Sequence, residues 1–389
     1  MSSKQVVIFS WSIPQGGLPK VMLKEYYDFK RRNISPIILT QNTIPDAYAC
    51  EFGNIGTENC IVVTPNSKGK KNDISDFLPG VKISMNGSLL KNVITLTRYL
   101  RTRNFSIIIA HQLLSAYLLM PYCVIHRRPF IVVLHDNPFL FIKKKNLKRM
   151  SIIRRLEATL VYLLSNIVIF ASKSTVCTTP QIEEAVENNL KIHKALLVAE
   201  YGIDIFPAAV SNNRKNLLTV SKWSEFRNPV AYLELLKLLP TKMRLVMVGR
   251  WDTKIELERF RAEATKRALG ERLILRDDVS EEELSHLYDE TRVFVRLGFN
   301  ENGTGQAVLE AIGHGCPVVI SKGLGASTMV QNGETGFLVD ENNLSDVADK
   351  IVTIFGNNEI VDRMSKCAYD IAKKFNWQAY LNTIFALTE

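Results

Sequence analysis

Residues 299–338 read F-N-E-N-G-T-G-Q-A-V-L-E-A-I-G-H-G-C-P-V-V-I-S-K-G-L-G-A-S-T-M-V-Q-N-G-E-T-G-F-L. Acidic and amide residues lead into a Gly-rich turn. An apolar helix follows over Gln306–His314 with Glu310 inside it, then a Gly-Cys-Pro break, a buried strand over Pro317–Ile320 and further glycines. Gly303 and Gly305 permit tight backbone angles and close approach of a ligand. The helix behind them offers unsatisfied N–H groups and the positive end of its dipole to an anion. Such a loop can hold a sugar or a phosphate without a metal. A G-x-G before a helix is common in α/β proteins and carries little weight by itself; the length of the whole stretch is what makes it specific.

That stretch resembles the donor-site signature of retaining, GT-B-fold glycosyltransferases of family four, the glycosyl transferases group 1, written E-G-F-G-x-x-x-L-E-A-x-A-x-G-x-P-V-(V/I) and followed by a Gly-rich turn and G-x-x-G-x-L-V. The resemblance implies an α/β fold of two Rossmann-like domains whose parallel sheets face across a cleft, with a nucleotide sugar in that cleft. It implies that Glu310 accepts hydrogen bonds from the ribose hydroxyls, a task suited to a carboxylate, which only accepts. Two departures stand out. Seven residues before Glu310 comes Asn302 where the family has Glu, and Glu301 lies one residue earlier, so either Asn302 or Glu301 contacts the donor sugar. Thr328 stands where the family turn has Glu.

Working outward, apolar runs and helical periods alternate through the chain. Strands are expected at Val6–Ser10, Pro36–Thr40, Cys60–Thr64, Ile107–His111, Phe130–His135, Ile167–Ala171 and Lys194–Ala199, with helices at Val21–Arg31, Leu89–Arg101 and Arg149–Ser165. The second half repeats the pattern, with strands at 216–220, 244–248, 272–275, 293–296, 317–320 and 336–339, and helices at 229–238, 254–268, 281–288, 306–314, 344–355 and 360–375. Alternation of this kind argues for parallel sheets covered by helices. A join is expected near Asp204–Asn213, where Pro207 and S-N-N-R interrupt the pattern. The expected domains are residues 1–205, an acceptor-binding domain, and 206–375, a nucleotide-sugar-binding domain. The resemblance adds that the last helix, within 376–389, packs back on the first domain.

Ligands of parallel α/β sheets bind beyond the carboxyl ends of the strands. After the first strand comes Gly16-Gly17, whose N–H groups suit a phosphate and which is similar to the family's N-terminal Gly-Gly loop. Later strand ends carry Ala110-His111-Gln112 and Leu134-His135-Asp136, similar to the family's H-x-H and T-x-H-D ends, and the resemblance gives His135 a contact with the sugar. The second half opens with V-S-K-W-S-E-F-R-N over 220–228, where the family has V-G-R-L-x-x-x-K-G. Lys222 and Arg227 thus keep two cations five residues apart with their identities exchanged. A diphosphate leaving group needs such neutralisation, and Arg grips phosphate bidentately while Lys acts as a point charge. With Gly305 and Gln306 as backbone donors, these residues complete the candidate set. Ser280 and Glu283 read as a helix cap.

A chain of 389 residues, 46% hydrophobic and 23% charged, is long enough for two cores and globular in composition. Its six cysteines show no zinc spacing, so free thiols in a reducing compartment are expected. The opening M-S-S-K-Q runs into a strand, so no signal peptide is expected, and no apolar run reaches membrane-spanning length. Residues 1–204 carry 26 Lys/Arg against 14 Asp/Glu, a net of +12. The densest basic segment, Lys143–Arg155, is interleaved with apolar residues, which suits an anionic membrane face or a solvated helix face; nucleic-acid-binding motifs are absent. The expected protein is therefore a metal-independent, retaining glycosyltransferase in the cytoplasm or at the inner membrane face. Its donor is a UDP- or GDP-sugar and its acceptor a glycan or lipid-linked saccharide. The rival readings are a non-catalytic binding or scaffold protein of the same fold and a sugar-nucleotide 2-epimerase.

Overall fold

The computed structural model describes residues 5–10, 17–40, 52, 54–55, 59–62, 89–139, 152–189, 195–207, 214–277, 279–299 and 303–389. They fall into two compact units, Met1–Glu200 with Tyr380–Glu389, and Tyr201–Ala379.

The first unit is built on seven parallel strands, β1 (Gln5–Ser10), β2 (Ser35–Thr40), β3 (Cys60–Val62), β4 (Ile107–His111), β5 (Phe130–Leu134), β6 (Ser174–Cys177) and β7 (Leu196–Val198), in the order β3-β2-β1-β4-β5-β6-β7. Its helices are α1 (Gly17–Arg31), α2 (Leu89–Arg101), α3 (Leu113–Ile125), α4 (Ile152–Ala171) and α5 (Pro180–Glu187). β4 and β5 are buried at every residue, as strands covered by helices on both faces must be, and they read as unbroken apolar runs for that reason. α1 turns Leu18, Met22, Glu25 and Phe29 to the interior, and Asp28 beside them is buried as well, so the helical stripe contains two acids.

The second unit repeats the plan with six parallel strands, β8 (Asn216–Val220), β9 (Leu245–Val248), β10 (Leu273–Arg276), β11 (Thr291–Arg296), β12 (Val318–Ser321) and β13 (Gly336–Val339), in the order β10-β9-β8-β11-β12-β13. Its helices are α6 (Val230–Leu238), α7 (Lys254–Lys266), α8 (Glu281–Asp289), α9 (Gln306–Gly313), α10 (Leu344–Phe355) and α11 (Asn358–Lys374). α7 begins at a full capping box: Thr253 Oγ1 accepts the Glu256 N–H, and the Glu256 carboxylate accepts the Thr253 N–H. α12 (Trp377–Thr388) starts in this unit, and from Tyr380 onward its residues belong to the first. There Phe29 and Phe385 meet, and Tyr380, Leu381 and Ile384 are buried.

One expected strand is a helix. Ile167–Ala171 forms the end of the 20-residue α4, with Val168 and Ile169 buried and Ile167 and Phe170 exposed. Short apolar runs do not distinguish strand from helix; here adjacent buried positions flanked by exposed ones follow the helical period. The strand lies three residues further on, at β6. The apolar run after His111 is α3, apolar on all sides and buried along most of its length.

Candidate functional site

In each sheet the strand order reverses at one place, between β1 and β4 and between β8 and β11. The carboxyl ends of those strands border the crevice that α/β proteins use for ligands.

In the second unit β8 runs into Ser221 and Lys222. Gly249, at the end of β9, has φ +121°, and a Cβ there would sit 1.8 Å from Ser221 O, so the two strand ends close up only on glycine. Trp223 is fully buried, its indole N–H donating to Val248 O at 3.0 Å. That anchor leaves Lys222 pointing outward, 62% exposed and 2.7 Å from Asp252 Oδ1. A short turn, Glu225–Arg227, then brings the half-buried Arg227 back, and its Nη1 donates to Ser221 Oγ at 2.8 Å. Both predicted cations therefore belong to one loop at the strand end.

α9 enters the same edge of the sheet, following β11. Its first turn is led by Gly305 in the left-handed region (φ 73°), and the Gly325 N–H donates to Gly303 O at 3.0 Å. Gln306 opens the helix; its Nε2 is buried without a hydrogen-bond partner among the described residues. Glu310 is half-buried, and Tyr288 Oη donates to its Oε2 at 3.1 Å. Burial, with the Glu310 charge beside it, pushes the Tyr288 hydroxyl well above the usual phenol range, so it stays a neutral donor. Thr328 is exposed on the turn after β12, its Oγ1 donating to Gly325 O. Ser280 caps α8, accepting the Glu283 N–H at 3.0 Å.

In the first unit His111 ends β4, in register with Ser10 of β1, and His135 follows β5. Their rings stack at 5.1 Å, with His111 Nδ1 2.9 Å from His135 Nε2. His111 Nε2 lies 2.9 Å from Glu25 Oε2, both side chains fully buried. Tyr380 Oη donates to Glu25 Oε1 at 2.6 Å. Burial first, then the neighbouring His111, holds His135 well below the usual histidine range. Gly17 opens α1. Gly16, Glu301 and Asn302 lie outside the described residues, as do residues 143–151 of the basic segment.

Sequence reasoning missed Glu25, Tyr380, Tyr288, Asp252 and His314. Glu25 carries a readable signal, an acid on the apolar stripe of a helix. His314 caps α9, stacks on Phe206 at 3.8 Å and lies 2.8 Å from Asp289 Oδ1; burial lowers its pKa and Asp289 opposes that shift. Cys123, Cys177 and Cys316 are free, and burial pushes their thiols up to about 12, 12 and 11. Among the described residues no helix is long and apolar enough to cross a membrane.

Residues 203–371 match the family model described as Glycosyl transferases group 1. It is 30% identical over 153 residues to sulfoquinovosyl transferase SQD2 of Arabidopsis thaliana, covering 38% of this chain and 28% of the relative. It is 28% identical over 174 residues to D-inositol 3-phosphate glycosyltransferase of Corynebacterium efficiens, covering 43% of this chain and 41% of the relative. The matched stretch thus spans less than half of either relative. Among solved structures, Anabaena HepE in complex with UDP and glucose matches with a TM-score of 0.75 at 16% identity, over 98% of each chain. At that identity the likeness establishes the fold, that of the GT-B glycosyltransferases.

Proposed function

We propose, from the match of residues 203–371 to the glycosyl transferases group 1 model, that the chain is a retaining, metal-independent glycosyltransferase using a UDP-sugar. The observation that carries this reading is the carboxyl edge of the second sheet. There Lys222 and Arg227 flank one strand end, and α9, led by the left-handed Gly305, presents its N-terminus. Two cations and unsatisfied N–H groups at one edge are what a departing diphosphate requires, because negative charge grows on its oxygens in the transition state.

In this reading Lys222 and Arg227 hold the diphosphate, and Gly305 and Gln306 donate backbone N–H groups to it. Glu310, fixed by Tyr288, accepts from the ribose. Glu301 or Asn302 contacts the sugar, as does His135, and Gly16 and Gly17 supply donors from the first unit. Retention follows if the donor phosphate itself takes the acceptor proton on the face the nucleotide leaves, so no protein base is needed and the protein contributes positioning and charge stabilisation. UDP is favoured because HepE, of the same fold, was solved with UDP and glucose. The first 204 residues, 26 basic against 14 acidic, favour a lipid-linked acceptor at an anionic surface.

The test is a thermal-shift and hydrolysis panel of UDP-, GDP- and ADP-sugars with wild type, Lys222→Ala and Glu310→Ala. Stabilisation by UDP-sugars, lost in both variants, with slow UDP release that persists in chelator, is the expected result. The anomeric configuration of the product, read by proton NMR, decides retention. Failure of every nucleotide to stabilise the protein sinks the proposal in favour of a non-catalytic relative. Failure to co-float with anionic vesicles at low salt removes the membrane-bound acceptor.

A further inference from the structure

We propose that the outer face of α3 and α4 in the first unit docks on an anionic lipid surface, with the two helices lying along the plane of the headgroups. The proposal rests on the reading above for a lipid-linked acceptor, and it names the face that meets the bilayer.

β4, β5 and β6 are neighbours both in sequence and in the sheet, and parallel crossovers of one hand put α3 and α4 side by side on one side of it. Tyr117 Oη and Ser165 Oγ, 2.6 Å apart, join the two helices. The outward residues of both are large and apolar. Val124 and Ile125 on α3, and Leu163 and Ile167 on α4, are each at least half exposed, with Leu114 close behind at 45%. Leu114 and Ile125 lie about three helical turns apart and so share a face, and Leu163 and Ile167 lie about one turn apart on theirs. Neither α3 nor the stretch 158–172 contains a charged residue. Large apolar side chains held in water across two adjoining helices mark an interaction surface.

Charge identifies the partner. Residues 101–182, which contain both helices, carry 12 Lys/Arg against 2 Asp/Glu, and the rest of the chain is balanced at 37 of each. The whole net charge of +10 therefore resides in this stretch. The Lys173 N–H donates to Phe130 O at 2.7 Å, so the carboxyl ends of α3 and α4 meet at one edge of the sheet, with Arg127 and Lys173 exposed there and Arg128 half-buried. Lys173 Nζ donates to Leu387 O at 2.8 Å, a neutral partner that leaves its charge in place. A second copy of the chain on this face would set cations against cations. Headgroup phosphates instead neutralise them, while the Leu, Ile and Val side chains enter the boundary of the acyl chains. Among the described residues no helix can cross a membrane, so the contact is one of lying on the surface.

The test is co-flotation of the full chain, at low salt, with vesicles of phosphatidylcholine alone and of phosphatidylcholine mixed with phosphatidylglycerol. Wild type is expected to float with the mixed vesicles and not with the neutral ones. Ile125→Ser combined with Ile167→Ser removes apolar contact at two exposed positions without touching charge. This serine pair is expected to bind mixed vesicles about tenfold more weakly with its thermal midpoint unmoved. Arg127→Gln combined with Lys173→Gln is expected to lose on the order of tenfold as well. Should the serine pair lose stability, the glutamine pair decides. Full binding by either pair overturns the proposal; an anionic surface is then held elsewhere on the chain, and the lipid-linked acceptor of the reading above survives. Equal binding of wild type to the two vesicle types overturns it too, because charge then selects nothing. A concentration-dependent dimer in sedimentation, dispersed by the serine pair, overturns it in favour of a second copy. Binding to neither vesicle overturns it together with the membrane-bound acceptor, and hydrolysis of a UDP-sugar in lipid-free solution still reads whether the chain is a transferase.

Discussion

Ser10 and His111 end neighbouring strands of the first sheet; Val220 and Arg296 end neighbouring strands of the second. The two places are topologically alike, each at the reversal of strand order, yet they carry opposite kinds of chemistry. Beyond β4 the polar groups are buried or half-buried and tied to one another from four segments. Beyond β8 they are two cations five residues apart, Lys222 exposed and Arg227 half-buried, on a loop anchored by Trp223. Burial makes the first set rigid and sensitive to single atoms, since a buried polar group that loses its partner keeps its full desolvation cost. Exposure makes the second set tolerant in the folded state and demanding only when a charged ligand arrives.

The largest effect that breaks this contrast is expected from Gly249→Ala. A Cβ at φ +121° placed 1.8 Å from Ser221 O forces the β8 and β9 ends apart. A loss of about 3 kcal/mol or more in chemical denaturation is expected, along with loss of nucleotide binding, because Lys222 and Arg227 follow directly from that strand end. A stability unchanged from wild type would show that the loop is not set by the strand closure. Next comes Arg227→Ala. It removes one part-buried hydrogen bond to Ser221 Oγ, so stability should fall by no more than about 1–2 kcal/mol, while kcat falls on the order of 10²–10³-fold if Arg227 stabilises the leaving group. Equal losses in stability and rate would place Arg227 with the buried set.

Acid sharpens the comparison further. His135 is held well below the usual histidine range and His314 below it, burial being the leading cause in both. A histidine whose folded-state pKa is depressed binds its proton more readily when unfolded, so stability is full above the unfolded value of 6.5 and declines as pH falls through and below it. The thermal midpoint is expected to drop between pH 7 and 5. His135→Asn should flatten that drop more than His314→Asn, because Asp289 partly restores the proton affinity of His314. Equal flattening would remove the distinction between the two histidines.

How far these regions could be read from sequence follows from the same physics. The second unit was legible because its site is contiguous: Lys222 and Arg227 lie in one loop, and Gly305 and Glu310 in one turn and helix, so residue type and spacing carry the geometry. Its six strands also sit where the apolar runs placed them. In the first unit, Ile107–His111 and Phe130–Leu134 were readable as buried strands, but Ile167–Ala171 was not readable as a helix, since five apolar residues fit either period. The buried cluster was illegible as a whole. Tyr380 and Glu25 are 355 residues apart, and only the fold brings them together. His111 and His135 drew attention as strand-end histidines, whereas Glu25 announced itself only as an acid on an apolar helix stripe. Asp252 escaped notice because nothing in T-K-I-E-L-E-R distinguishes its neighbourhood from an ordinary helix start.

Asp252 gives the smallest expected effect and the finest test. It neutralises Lys222 at 2.7 Å, but the two side chains are 42% and 62% exposed, so solvent screens the pair and its loss should cost no more than about 0–1 kcal/mol of stability. What changes is competition. A diphosphate must draw Lys222 away from a carboxylate that is already bound, and Asp252→Asn removes that competitor without shortening the side chain. Affinity for UDP is expected to rise a few-fold at low ionic strength, and the gain should fade as salt approaches 1 M, where the screening length falls to about 3 Å. Isothermal titration of UDP into both proteins at two salt concentrations measures it. A weaker affinity in Asp252→Asn would instead mean that the carboxylate presents Lys222 to the ligand.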